Sequence, residues 1–157
     1  MNESDLLFVF ILNDQRYALP LHAVDRVARM VAITPLPNAP DIILGMVNFQ
    51  GRVIPVINMR QRFGLPEREI AVSDQLVVAH TLLRPVALVA DAVLDVIACA
   101  AQSQIAAENI LPNIAYVAGV VKLSDGLILI HDLDKFLSLE EENSLSQALE
   151  NRGLNTY

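Results

Sequence analysis

Three histidines, a single cysteine and two closely spaced aspartates are the residues of this chain whose types could do chemistry. His22, His80 and His131 are scattered, none falls in an H-x-x-x-H or H-E-x-x-H arrangement, and Cys99 has no second thiol to share a metal with. No metal site is expected. His22 and Asp25 could share one helical turn, although a solvated residue at a loop or helix start is the simpler reading. His131 alternates with Ile128 and Ile130, so it should point to the opposite face of its strand. Asp91 and Asp95 stand at the ends of apolar runs. In one extended strand they would lie on one face about 13 Å apart, too far for an acid and a base to share one bond, so both read as turn residues. No G-x-S-x-G, P-loop or G-x-G-x-x-G occurs. With no catalytic pair and no cofactor motif, the expected activity is binding rather than turnover.

The elements that would position these residues are short and closely spaced. Apolar, β-branched runs fall at 6–12, 16–19, 24–33, 46–49, 53–57, 76–81, 86–90, 93–99, 117–123 and 127–131. That spacing predicts a mainly β chain built as a sandwich or as barrels. Turn chemistry separates the runs at Asn13-Asp14, Gly51, Arg84-Pro85 and Ser124-Asp125-Gly126, and Pro35, Pro37 and Pro40 make 34–41 an extended connector. Ser138 and Glu141 have capping-box spacing ahead of a helix whose Leu145, Ala148 and Leu149 share a narrow face, with 152–157 expected to fray.

Composition narrows the partners. A 54% hydrophobic chain of 157 residues can bury a sizeable core in one domain or two small packed ones. With 11 basic against 18 acidic residues the net charge is -7, which disfavours nucleic acid and anionic membrane surfaces. The apolar territory 76–101 is broken by His80, Arg84, Pro85, Asp91 and Asp95, so direct membrane insertion is not expected, and no basic leader precedes 6–12. Cys99 lies in an apolar run and reads as a small core residue of a protein kept in a reducing, cytoplasmic compartment.

Two segments read as distant copies. Laying Gly45 on Gly119 brings Val47 onto Val121, Asn58 onto Asp132, Met59 onto Leu133 and Phe63 onto Leu137, while the turn residues Gly51 and Gly126 fall one place out of step. Each copy is a hairpin followed by a capped helical turn whose apolar pair could plug one end of a small barrel.

In residue identity the segment 45–63, Gly-Met-Val-Asn-Phe-Gln-Gly through Asn58-Met59-Arg60 to Phe63, resembles the signature of the CheW-like domain family. Two further blocks, 86–96 and 116–137, resemble the family's later strands in the same order, so the resemblance covers 6–137. It implies two five-stranded, SH3-like barrels packed around a shared core, with short helices and a C-terminal helix. The expected organisation is a CheW-like domain over 1–138 followed by an acidic helix and tail over 139–157. The resemblance further implies a non-catalytic adaptor that joins the cytoplasmic tip of a chemoreceptor to the regulatory domain of a CheA-type histidine kinase, in the cytoplasm at receptor arrays on the inner membrane. By the same resemblance a receptor-binding groove between the barrels would involve Val24, Arg26, Val27, Asn48, Gln50, Val89 and Asp91. The kinase-contacting residues are not assigned.

The chain departs from the family pattern where it matters for partner choice. Asn48-Phe49-Gln50-Gly51 stands where the family commonly has Asn-Leu-Arg-Gly, and Arg26 stands where many members carry Glu. A Glu facing an Arg would form a charge-assisted pair, whereas Arg26 and Gln50 could at most share a hydrogen bond, so the sign of this surface is altered. The functional reading is a paralogue tuned to another receptor; the alternative is drift on an exposed loop. A different class of function, a small-ligand sensor using the inter-barrel groove, remains the runner-up.

Overall fold

Strand side chains alternate between two apolar environments, which is why the strands read as nearly continuous hydrophobic runs. The computed structural model describes residues 6–98, 104–106, 117–123 and 126–153. Eleven strands are described: β1 (Leu6–Leu12), β2 (Gln15–Pro20), β3 (Val24–Arg29), β4 (Ile43–Phe49), β5 (Arg52–Ile57), β6 (Gln75–His80), β7 (Pro85–Ala90), β8 (Ala92–Ala98), β9 (Gln104–Ala106), β10 (Val117–Leu123) and β11 (Gly126–His131). Two α-helices, α1 (Met59–Phe63) and α2 (Leu139–Asn151), complete the frame with short 3-10 turns. The run at 24–33 is extended in β3 only as far as Arg29; beyond it the connector touches the sheet again at Thr34, which pairs with Met46.

The strands form a six-stranded sheet in the order β8-β1-β2-β11-β10-β9 and a five-stranded sheet in the order β3-β6-β7-β5-β4. The first therefore holds one strand more than the expected five, the short β9 added at its edge. Both sheets share one plan: an antiparallel hairpin, β1-β2 or β6-β7, lies parallel to a second hairpin, β10-β11 or β4-β5. The outer strand beside each first hairpin is exchanged. β3 follows β2 in sequence but pairs with β6, and β8 follows β7 but pairs with β1.

Three apolar layers result. Leu7 and Val9 of β1 join Ala18, Val121, Ile128 and Ile130 inside the first sheet's curl. Leu76 and Val78 of β6 join Val47, Ile54, Val56 and Ala87 inside the second. The alternate side chains, Phe8, Phe10 and Leu12 from β1 with Val77 and Ala79 from β6 and Val86 and Leu88 from β7, meet in the largest cluster, between the sheets. Helix α2 closes that cluster with Leu145, Ala148 and Leu149, each buried. Its capping box forms as expected: Ser138 Oγ accepts from the Glu141 N–H at 3.1 Å, and the Glu141 carboxylate accepts from the Ser138 N–H at 2.8 Å.

The correspondence of the two segments extends to detail. Register shifts fall just before the corresponding glycines, between Ile43 and Gly45 in the β4-β5 pair and between Val117 and Gly119 in the β10-β11 pair. Val47 and Val121 each lie inside their own barrel. Asn58 caps α1 through Oδ1, which accepts from the Gln61 N–H at 3.1 Å, and Asp132 caps the second turn by accepting from the Asp134 N–H at 3.1 Å. The plugs differ because the second turn, Leu133–Lys135, is 3-10 rather than α-helical. With three residues per turn, the side chain one turn beyond Leu133 is Phe136. It is fully buried, with Leu137 beside it, whereas Phe63 is only half-buried. The Ser124-Asp125 part of the expected hairpin turn, Cys99 and 154–157 lie outside the described residues.

Gly45 is required by close approach. A Cβ there would sit 2.5 Å from the Thr34 carbonyl oxygen, and its φ of +154° is one that side-chain-bearing residues rarely adopt. Phe136→Ala should therefore destabilise the chain by about 3–5 kcal/mol and Leu137→Ala by about 2–5 kcal/mol in denaturant melts. Leu82→Ala, at a side chain 90% exposed, should stay within about 0.5 kcal/mol. Equal melts for Phe136→Ala and Leu82→Ala would contradict this packing.

Candidate partner-binding surface

Asp91 sits in the turn between β7 and β8, and its backbone N–H donates to the Ile11 carbonyl at 2.9 Å. Its carboxylate is shared. Arg60 Nη2 from α1 reaches both oxygens at 2.7 Å, Arg68 Nη2 reaches Oδ1 at 2.5 Å, and the Asn13 N–H donates to Oδ2 at 2.9 Å. Arg68 also grips Asp74, at 2.6 and 2.9 Å, and Asp74 accepts from the Ala71 N–H at 2.8 Å. Asp74 is itself buried. One carboxylate thus ties the β1-β2 turn of the first sheet to α1, to the 66–74 loop and to the second sheet.

This network sets the electrostatics. Arg68 holds the Asp74 carboxyl below the usual carboxylate range, against the opposing effect of burial. For Asp91 burial pushes the pKa up, but the Arg60 hydrogen bond, the Asn13 N–H and the charges of Arg60 and Arg68 outweigh it and the net direction is down. The Arg68 guanidinium is correspondingly raised, chiefly by its hydrogen bond to Asp74. A second clamp holds α2. Arg62 Nη2 reaches both Glu141 oxygens at 2.7 Å, and Arg84 pairs with Glu142 at 3.3 Å and donates to Ser146 Oγ at 2.6 Å. Burial pushes Glu141 up, while the Ser138 N–H and Arg62 bring it net below its ordinary value.

The residues expected at the receptor groove lie on the second sheet and its β4-β5 turn, apart from Asp91, which sits where the chain crosses from β7 to β8 of the first sheet. Arg26 and Val27 of β3, Asn48 of β4 and Gln50 in the turn are exposed. Curling of the sheet brings its edge strands together, so that Arg26 lies over the Phe49 ring, 5.4 Å from guanidinium carbon to centroid. Phe49 and Arg52 are register partners, and Gln50-Gly51 make a two-residue turn with φ of 53° and 80°. Asn48 Oδ1 accepts from the Gly51 N–H at 3.1 Å and steadies that turn. Val24 is half-buried against the inter-sheet core, and Val89 is half-buried against the second barrel's interior. Asp91 is engaged in the network above. Arg26, Val27, Asn48 and Gln50 thus form the solvent-facing part of the set, while Val24 and Val89 are half-buried against different apolar clusters and Asp91 is held in its own ion-pair network.

His22 and His131 sort as the sequence reading preferred, the first solvated at a helical turn and the second on the face opposite Ile128 and Ile130, and no His22–Asp25 pair forms. His22 is exposed in the 3-10 turn Leu21–Ala23, and Asp25 is bonded not to it but to His80, Oδ1 to Nδ1 at 2.9 Å. The cause is that β3 begins at Val24, so Asp25 is in a strand rather than on a helical turn. His131 does face away from Ile128 and Ile130, but into the protein. It is 1% exposed, with its ring 4.3 Å from Phe63 and 5.0 Å from Tyr17. The pairings of Arg60, Arg62 and Arg84, and that of Arg68 with Asp91, had no local sequence signal, because Asp91, Glu141 and Glu142 lie far along the chain; only the Arg68–Asp74 pair is close in sequence. Among the described residues no group of three or more His, Cys, Asp or Glu side chains could hold a metal ion, and no helix is long and apolar enough to cross a membrane.

Because Asp74, Asp91 and Glu141 have lowered pKa values in the folded chain, each contributes stability that is present above its unfolded pKa of about 4 and lost as pH falls through the folded value. Melts across a pH series should show stability holding from neutral pH to about 5 and falling below about 4. Asp91→Asn should lower stability at neutral pH and make the acid fall shallower. A pH profile identical to that of the parent chain would remove Asp91 from this role.

The family model for the CheW-like domain matches residues 6–141. The chain is 27% identical over 140 residues to the chemotaxis protein CheW of Rhizobium meliloti, covering 88% of this chain and 90% of that one. It is 27% identical over 135 residues to the chemotaxis protein CheW of Klebsiella aerogenes, covering 85% and 81%. Among solved structures, the scaffolding protein TtCheW from Thermoanaerobacter tengcongensis aligns with a TM-score of 0.79 at 29% identity, over 88% of this chain and 95% of that one. That relative supports reading the two curled sheets as the paired SH3-like barrels expected for the fold. With a match that runs from β1 into α2, this chain belongs to the CheW-like domain family.

Proposed function

We propose that this protein is a non-catalytic adaptor of bacterial chemotaxis or a related chemosensory pathway, coupling the cytoplasmic tip of a chemoreceptor to the regulatory domain of a CheA-type histidine kinase. The observation that carries the reading is the family match along nearly the whole chain, on a body whose two barrels share one core. Such a body can hold two partners at fixed separation and orientation, which is what coupling without turnover requires. Its place is the cytoplasm, at receptor arrays. The receptor side is the surface around Arg26, Val27, Asn48 and Gln50, together with Val24, Val89 and Asp91, and the kinase side is elsewhere on the barrels.

The direct test is capture of the purified chain by a kinase regulatory domain and by a soluble chemoreceptor hairpin fragment, singly and together. Capture by both, with a ternary complex, is expected. Binding of neither, together with a saturable rise in melting temperature on adding a metabolite, would replace this reading with that of a small-ligand sensor. The double change Arg26→Glu with Gln50→Arg should shift receptor choice toward the fragments that CheW proteins with the common Glu and Arg pair recognise, and leave kinase binding nearly unchanged. Unchanged receptor choice would mark both substitutions as drift. The pair itself is exposed and should couple by only about 0.2–1 kcal/mol in a double-mutant cycle, so a larger swing must come from the receptor contact.

A further inference from the structure

Arg26 is the exposed cation of the proposed receptor surface whose geometry is best defined. It stands on the edge strand β3, its guanidinium carbon lies 5.4 Å from the centre of the Phe49 ring, and among the described residues it meets no carboxylate. Its sequence neighbour Asp25 is engaged by His80. An arginine laid over an aromatic face keeps its π surface against the ring and leaves its N–H edges to solvent. The ring also removes rotamer freedom that a lone surface arginine would lose on binding, so this fork is pre-organised. Next to it Val27 and, in the following connector, Val31 are 37% and 41% exposed, and Gln50 brings no charge of its own. On a chain of net charge -7 a cationic fork beside exposed aliphatic side chains is a discriminating feature.

Resting on the function proposed above, we infer that the receptor segment received here presents a carboxylate, taken by the N–H edge of Arg26, with an aliphatic side chain against Val27. A Glu here, beside the uncharged Gln50, would repel the same carboxylate, so the sign of this one side chain discriminates between an acidic and a basic partner. The contact is charge-assisted and partly solvated, so it weakens with added salt.

The test uses the full chain and a soluble hairpin fragment of a chemoreceptor tip from the same organism, with Kd measured at low and high salt. Arg26→Glu should weaken binding about tenfold or more at low salt, and Arg26→Lys should be intermediate, because an ammonium cannot make the planar two-pronged contact. Reversing one Glu or Asp of the fragment to Arg should weaken binding to the parent chain and restore it to Arg26→Glu. Melting temperatures of the Arg26 variants, expected to match the parent's, exclude misfolding as the cause. A fragment that binds the parent chain and Arg26→Glu equally, or that no single carboxylate reversal rescues, overturns the carboxylate contact while leaving the adaptor reading intact. A parent chain that binds no receptor fragment overturns both.

Discussion

One apolar layer, filled from both sheets, is the constraint on which the rest of the structure depends. Phe8, Phe10, Leu12, Tyr17 and Leu19 enter it from the first sheet, and Ile43, Ile57, Val77, Val86 and Leu88 from the second. Neither set can be buried without the other. The exchange of β3 and β8 makes this covalent as well as packed, since each half of the chain contributes strands to both sheets. Separating the barrels would expose the largest core cluster and strip β3 from β6 and β8 from β1. At roughly 1.5–3 kcal/mol for each large apolar side chain fully buried, the layer outweighs any single polar contact in the molecule.

The ion pairs act within that frame. A half-buried Arg–carboxylate network gains little over well-packed apolar groups, because desolvation offsets much of the attraction, but it is costly to break on one side only. Its contribution here is placement. Asp91 fixes where the β7-β8 turn, α1 and the 66–74 loop meet, and Arg62 and Arg84 fix α2 across the core from two different parts of the chain. The exposed surface at β3 and the β4-β5 turn lies on paired strands of the second sheet and a tight two-residue turn rather than on a long loop.

Much of this was legible in the sequence for identifiable reasons. Short apolar, β-branched runs and the turn residues between them located most of the strands, and the caps at Asn58, Asp132 and Ser138 follow from side chains that accept from backbone N–H groups close by in sequence. These are local signals. The layering was not local: Phe8 and Val9 look alike in a run of apolar residues, and only the exchanged pairing shows that one faces the shared layer and the other a barrel interior. The same holds for Asp91, which reads as a turn residue until folding brings Arg60 and Arg68 to it. Helical spacing from Leu133 points to Leu137 and passes over Phe136, because the turn between them is 3-10 rather than α-helical. His131 was placed on the correct face, but its burial depends on Phe63 and Tyr17 arriving from other strands and turns. The part of the candidate surface carried by Arg26 and Gln50 was visible only as a departure from a family pattern; its contact with Phe49 required the curl of the sheet.

Native-state hydrogen exchange tests most directly whether the two barrels are one body. Amides in the ladders β1-β2 and β6-β7, on different sheets, should exchange with the same opening free energy, equal to the global value from denaturant melts, because neither sheet can open without exposing the shared layer. Protection in one ladder lost at a clearly lower free energy than in the other would show that the barrels unfold independently, and the claim of a single rigid body would fail.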